Sequence, residues 1–307
     1  MSNELTTTER ELIETLPGPP ELAEVRASNV WIVEWLPADE TPTGRLLHDW
    51  MKDRRQGWSV YFSCGSKNDV ITAIKKATYW AQRSELRPVL HLESHGNDVG
   101  LAGPNGSGGT DPLAWDELTE LLQELNLATR CNLVVVVAAC TGFAGIQALR
   151  CGPRAPAVAL VGPGAPIMPT NLLSGTKEFY RRWLDEKPKL AGIAESASRE
   201  AGTVIFEWEP FAILAYDALI ECLVKSMRPA EQVKCMDRIR QRMLTDTDLP
   251  EAEVEARSAV MPPLPPWQEL QQVWDMMFMI DLDPTNRARF GLDMRTIVDR
   301  ITAGRIQ

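Results

Sequence analysis

At 307 residues, 44% apolar and 24% charged, the chain can bury a full core and is too apolar for a disordered one. A formal charge of −10 argues against direct nucleic-acid binding, and no apolar run is long enough to cross a membrane. Met1 to Pro20 carries acids and prolines rather than a basic-then-apolar leader, so a cytoplasmic location is expected.

Residues 1–27 read as an N-terminal arm with a short helix, broken by Leu16-Pro17-Gly18-Pro19-Pro20. Asn29 to Leu36 predicts a strand. Thr43 opens a helix to Lys52 with Leu46, Leu47, Trp50 and Met51 on one face. Trp58 to Ser63 predicts a second strand, and Asp69 caps a helix to Arg83. Pro88 to Ser94 is an apolar run ending at His95-Gly96. Residues 97–113 read as a polar, glycine-rich loop, followed by a helix from Trp115 to Leu125.

Leu133 to Ala139 is a second apolar run, ending at Cys140-Thr141-Gly142. A short helix near residues 146–149 leads to a strand from Ala157 to Val161. Amphipathic segments follow at 171–186, 189–201, 211–226 and 229–244, with Thr203 to Trp208 as a last strand. Residues 246–266 are acidic and then proline-rich, a linker composition, and helices are expected at Trp267–Ile280 and Met294–Ile301. The alternation predicts an α/β fold: a three-layer sandwich with a mostly parallel central sheet at 28–245, then a C-terminal helical extension at 267–307.

The two apolar runs carry the chemistry. Each reads as a buried strand of a parallel sheet, and a helix between them brings their carboxyl ends to one edge. Sites in such sheets form outside those ends. A buried strand cysteine is commonly inert packing, but Cys140 stands at the strand end before a turn that can expose a thiol. His95 likewise stands where its strand stops. An imidazole beside a thiol can favour the thiolate and carry a proton to a leaving amine.

Other chemistries are disfavoured. His91 and His95 lie four residues apart on a strand, about 13 Å, too far to share a metal. The six cysteines are scattered with no Cys-x-x-Cys, which predicts neither a disulfide framework nor structural zinc, and no metal or cofactor is expected. The glycines at 100–109 lack the Gly-Lys-Ser/Thr ending of a phosphate loop, and no Gly-x-Ser-x-Gly elbow occurs.

Taken together, His91-Leu-Glu-Ser-His95-Gly96, Trp115-Asp-Glu-Leu118 and Val137-Ala-Ala-Cys140-Thr-Gly142 resemble the caspase-like (clan CD) cysteine peptidases, in particular their bacterial caspase-like and CHAT-type group. The resemblance covers about residues 29–165 and rests on the order and separation of the motifs. It implies Cys140 as nucleophile, His95 as general acid/base, and an oxyanion hole from the backbone N–H groups of Gly96 and Cys140. It also implies a protein substrate, a regulatory or activating protein partner, and a role in bacterial defence or cell death. Glu93, Ala138, Ala139 and Thr141 are the substrate-pocket candidates. In relatives that cut after basic residues an acid stands two positions before the nucleophile. Here Ala138 and Ala139 precede it, which predicts a small or apolar residue on the acyl side of the cut. The short connection at 143–156 predicts a working single chain. The competing expectations are a catalytically silent binding module of the same fold and a nucleotide-responsive sensor.

Overall fold

Apolar sequence sets the sheet. In the computed structural model, β1 (Asn29–Trp35), β6 (Val134–Ala138) and β7 (Ala159–Pro163) are buried at every residue, and β3 (Pro88–Gly96) at all but its last two. Strands buried on both sides in this way need helices on both faces. The structure describes residues 4–20, 25, 27–84, 86–145, 153–185, 190–202, 206–228, 230–234, 237 and 264–304.

With β2 (Ser59–Ser63) and β8 (Phe206–Pro210), these strands form one sheet in the order β2-β1-β3-β6-β7-β8. The pairings are parallel from β2 through β7, and β8 closes the far edge antiparallel to β7. Helices α2 (Thr43–Arg54), α5 (Pro169–Asp185) and α6 (Leu190–Ala201) cover one face. There Leu47, Met51, Phe179, Tyr180 and Ile193 pack on Val30, Ile32, Val134 and Val136. Helices α3 (Lys67–Ser84) and α4 (Trp115–Ala128) pack together on the other, burying Ile74, Ala77, Leu118 and Leu122. The fold is a mixed α/β sandwich with a central, mostly parallel sheet flanked by helices.

The expected loop at 97–113 instead contains a hairpin, β4 (Gly100–Pro104) and β5 (Thr110–Ala114), which extends the end of β3 by pairing His95 with Ala102 and Gly96 with Leu101. Its short strands, broken by glycine or proline, lack the alternation that marks a strand in sequence. Glycine is required at Gly103, where a Cβ would stand 2.5 Å from the Trp35 ring. Other boundaries move less. Helix α3 begins before Asp69, whose carboxylate accepts from the Gly65 N–H and Ser66 hydroxyl, and β7 begins at Ala159 rather than Ala157. The expected helix at 146–149, most of 235–244 and linker residues 246–263 lie outside the described residues.

The chain divides into two compact units. One is the sandwich, Glu21–Ala212 with Met276–Arg289. There Arg154 makes a bidentate pair with Asp281 at 2.6 and 2.8 Å and donates to the Met276 carbonyl. The other comprises Met1–Pro20, Ile213–Asp275 and Phe290–Gln307. It contains α1 (Thr7–Glu14), most of α7 (Phe211–Ser226) and of α8 (Trp267–Met277), and α10 (Met294–Ala303), with the short α9 (Arg287–Phe290) at the boundary. Helix α8 stops short of the expected Ile280, and Met279 turns left-handed at φ 57°. No helix among the described residues is long and apolar enough to cross a membrane.

In the second unit, Thr6 and Glu9 form a capping box on α1, and Arg228 donates twice to the Glu9 carboxylate at 2.7 Å. Hydrogen bonds from Arg228 are the main reason the Glu9 carboxyl is held down to about 2 from 4.5. A depressed folded-state value stabilises above the unfolded value and is lost as protons return. The stability difference between wild type and Arg228→Gln should therefore be constant above about pH 4.5 and shrink toward pH 2, followed by urea denaturation across that range.

Candidate functional site

The parallel register of β3 and β6 decides which residues meet at the rim. Val89 pairs with Val134, His91 with Val136, and Glu93 with Ala138. His95 and Cys140 each stand two residues beyond the last pair, so the two occupy matching positions where the strands end. Side chains alternate along a strand, and the pairs Val89/Val134 and His91/Val136 lie on the face covered by α2 and α5.

The chain between Ala139 and Gly142 turns tightly enough to lift the thiol out of the sheet. Gly142 N–H donates to the Ala139 carbonyl at 2.9 Å, and Thr141 takes a left-handed conformation at φ 53°. Gly142 is obligatory because a Cβ there would stand 2.4 Å from the Val137 carbonyl oxygen. Cys140 is half-buried, and its sulfur lies 4.0 Å from the Ile167 carbonyl. The Thr141 hydroxyl donates to the Cys140 carbonyl at 2.7 Å.

Gly96 lies directly against this turn. A methyl group at that position would stand 2.9 Å from both the Ala139 Cβ and the Cys140 carbonyl oxygen, so glycine alone permits the approach. Asn97 N–H donates to the Gly100 carbonyl at 3.0 Å. That makes 97/100 a hydrogen-bonded pair of the hairpin and leaves Gly96, opposite Leu101, at a non-hydrogen-bonded one. The Gly96 N–H is thereby turned away from β4.

The His95 ring is half exposed, and its Nε2 lies 2.9 Å from Oε1 of Glu40, in the connection between β1 and α2. A carboxylate only accepts, so Nε2 carries the hydrogen, and in the neutral ring the lone pair is then on Nδ1. The imidazole and the thiol are not hydrogen-bonded to one another. Sequence reasoning missed Glu40: an acid in a short polar connection carries no pattern that separates it from an ordinary solvated loop residue.

The four pocket candidates differ in exposure. Ala138 and Ala139 are each 1% exposed, and Thr141 is half-buried at the turn. Glu93, 2% exposed, points into the protein, with Oε2 at 2.6 Å from His91 Nε2 and Oε1 accepting from the Thr43 hydroxyl. His91 Nδ1 is 3.1 Å from the Tyr180 hydroxyl. On the neighbouring strand Glu34 stands in register with Glu93, accepting from Tyr61 O–H at 2.7 Å and from the Arg45 N–H at 3.0 Å. Burial, with the Glu93 charge second, pushes the Tyr180 hydroxyl well above its usual range, so it remains a donor.

No family model and no curated protein matches the chain. Among solved structures it is similar to a complex of Porphyromonas gingivalis RgpB pro- and mature domains, at 11% identity and a TM-score of 0.34. The match covers 70% of this chain and 49% of that one, so the chain spans about half the length of the structure it matches.

The cysteines have sharply different surroundings. Burial pushes the Cys64 and Cys131 thiols up to about 12, which keeps both protonated and unreactive at neutral pH. Cys151 and Cys235 lie outside the described residues. Brief treatment of the native protein with iodoacetamide near pH 7.5, read by peptide mass spectrometry, should modify Cys140 and spare Cys64 and Cys131. A protected Cys140 in folded protein would contradict the turn geometry.

Proposed function

We propose that the sandwich is a caspase-like cysteine endopeptidase with Cys140 as nucleophile and His95 as general acid/base. The observation that carries this reading is the β3–β6 register, which sets an imidazole and a half-exposed thiol at matching strand ends with Gly96 packed against the Cys140 turn. Nδ1 of His95, with Nε2–H engaged by Glu40, takes the thiol proton. The thiolate then attacks the scissile carbonyl. The charge that develops on the carbonyl oxygen is met by backbone N–H groups, for which Gly96 and Cys140 are the candidates. Collapse breaks the C–N bond as His95 returns the proton to the leaving amine, and water hydrolyses the thioester. No cofactor enters this sequence of steps.

The same reading extends to specificity and setting. Ala138 and Ala139 offer no charge, and the buried acid nearest in sequence, Glu93, has both oxygens engaged by His91 and Thr43. Neither alanine nor the engaged Glu93 carboxylate would hold a charged side chain, which favours a small or apolar residue on the acyl side. A cytoplasmic, partner-regulated protease of a bacterial defence or cell-death system is the wider role this reading carries.

An electrophilic peptide probe should form an adduct on Cys140 that is lost in Cys140→Ala and falls by roughly 10²–10⁴-fold in rate in His95→Ala. Glu40→Gln, which keeps the shape but removes the charge, should cost about tenfold in kcat/KM. Labelling spread evenly over exposed thiols, with no dependence on His95, would instead favour the silent binding module. For specificity, a positional-scanning peptide library should favour small and apolar residues before the cut. A profile dominated by Arg, Lys or Asp refutes that preference.

A further inference from the structure

A buried carboxylate is costly unless its oxygens are engaged, and Glu93 sits 2% exposed at the end of an apolar strand. Its partners form a chain. The Tyr180 hydroxyl donates to His91 Nδ1, His91 Nε2–H donates to Glu93 Oε2, and the Thr43 hydroxyl donates to Glu93 Oε1. Thr43 is the first residue of α2, and Pro42 before it offers no side-chain cap. The start of this helix is held from outside instead: Glu34 accepts the free Arg45 N–H, Glu93 accepts the Thr43 hydroxyl, and both carboxylates face the positive end of the helix dipole.

This anchoring point is three residues beyond Glu40, and the whole connection from β1 to α2 is residues 36–42. The connection is folded on itself, with Glu40 N–H donating to the Pro37 carbonyl at 3.1 Å and Thr43 N–H to the Thr41 carbonyl at 2.8 Å. Its first end is tied by the pairing of Trp35 with Ser94 on β3, and its second by the bond from Thr43 to Glu93, also on β3. Glu93 and His95 point to the same face, about 7 Å apart along the strand. The circuit from Glu93 through Thr43 and Glu40 to His95 therefore closes on a single strand.

We propose that Thr43 is a positioning residue for the imidazole: the buried chain Tyr180–His91–Glu93–Thr43 fixes the start of α2 and thereby holds Glu40 against His95. The link to catalysis rests on the peptidase reading; the link from Thr43 to the His95 ring does not. Thr43 touches neither the thiol nor the imidazole. It acts by keeping the connection short and pinned, so that the Glu40 carboxylate stays where Nε2–H can reach it.

A double-mutant cycle separates this role from a general loss of structure. The proteins are wild type, Thr43→Val, Glu40→Gln and the double variant, with Thr43→Ser as the conservative rescue. Two quantities are read in each: kcat/KM on a peptide substrate, and the order of the His95 ring by ¹³C relaxation. The chain has three histidines, so His95 is assigned by its loss in His95→Gln. Thr43→Val should lower kcat/KM about three- to tenfold and loosen the ring toward the level in Glu40→Gln. The double variant should be no worse than Glu40→Gln alone, and Thr43→Ser should match wild type. Losses that multiply in the double variant, or a His95 ring as ordered in Thr43→Val as in wild type, overturn the proposal. Should Thr43→Val fail to fold, Tyr180→Phe, which removes the far hydroxyl and keeps the ring, replaces it in the same cycle, and the same results support or overturn the proposal. Ring order coupled to Thr43 in a protein with no Cys140-dependent activity would leave the positioning intact and end the peptidase reading.

Discussion

The parallel ladder between β3 and β6 is the constraint on which the site depends. Side chains alternate along a strand, so a slip of one residue would turn the paired faces of β3 and β6 against one another and take His95 and Cys140 out of their matching positions. What prevents the slip is the burial of both faces. Val134 and Val136 pack beneath α2 and α5, and Val135 and Val137 are equally enclosed. Shifting the ladder would move His91 and Glu93 out of the polar niche made by Tyr180 and Thr43 and press them into apolar packing, at the cost of their hydrogen bonds. Apolar volume sets the strands side by side; the polar chain selects their register.

The same polar chain explains how a helix with no cap of its own can begin beside the rim. Free N–H groups at a helix start need acceptors, and a buried carboxylate needs donors. Glu34 and Glu93, in register on neighbouring strands, place two like charges side by side, an arrangement that would be unfavourable alone. The α2 N-terminus, Tyr61, Thr43 and His91 supply the donors that make it tolerable. Each element satisfies a deficit of the other.

How much of this was legible in the sequence follows from which forces leave a local pattern. The run 133–139 declares itself as a buried strand because burial on both faces demands continuous apolar residues, and 88–94 does so through Val89, Leu90 and Leu92. Their terminal His-Gly and Cys-Thr-Gly could be placed at one rim from topology alone. The β4–β5 hairpin could not, because its ten strand residues include two glycines and two prolines and its stability comes from pairing with β3 and from the Trp35 ring under Gly103. Glu34, Glu93 and His91 were equally silent: polar residues within strands signal nothing until their partners, up to 89 positions away, are brought in by the fold. Glu40 is the extreme case, an exposed loop acid set apart by its bond to a His95 ring 55 positions away.

The two strand ends at the rim are built by opposite means. At His95 the strand continues as part of the hairpin pairing, and the ring is steadied by a carboxylate from another loop. At Cys140 the strand has already stopped, and the sulfur is presented by a turn with a left-handed threonine. Such a conformation is uncommon for a β-branched residue and survives only where the surroundings enforce it. Here Gly142, fitted against the Val137 carbonyl, and the Gly142 N–H bond to Ala139 do so. A cysteine needed only for packing could lie within the strand, as the apolar run before it does, with no strained residue after it. The backbone cost of the turn secures one thing that packing does not require, a thiol left half-buried just beyond the strand end.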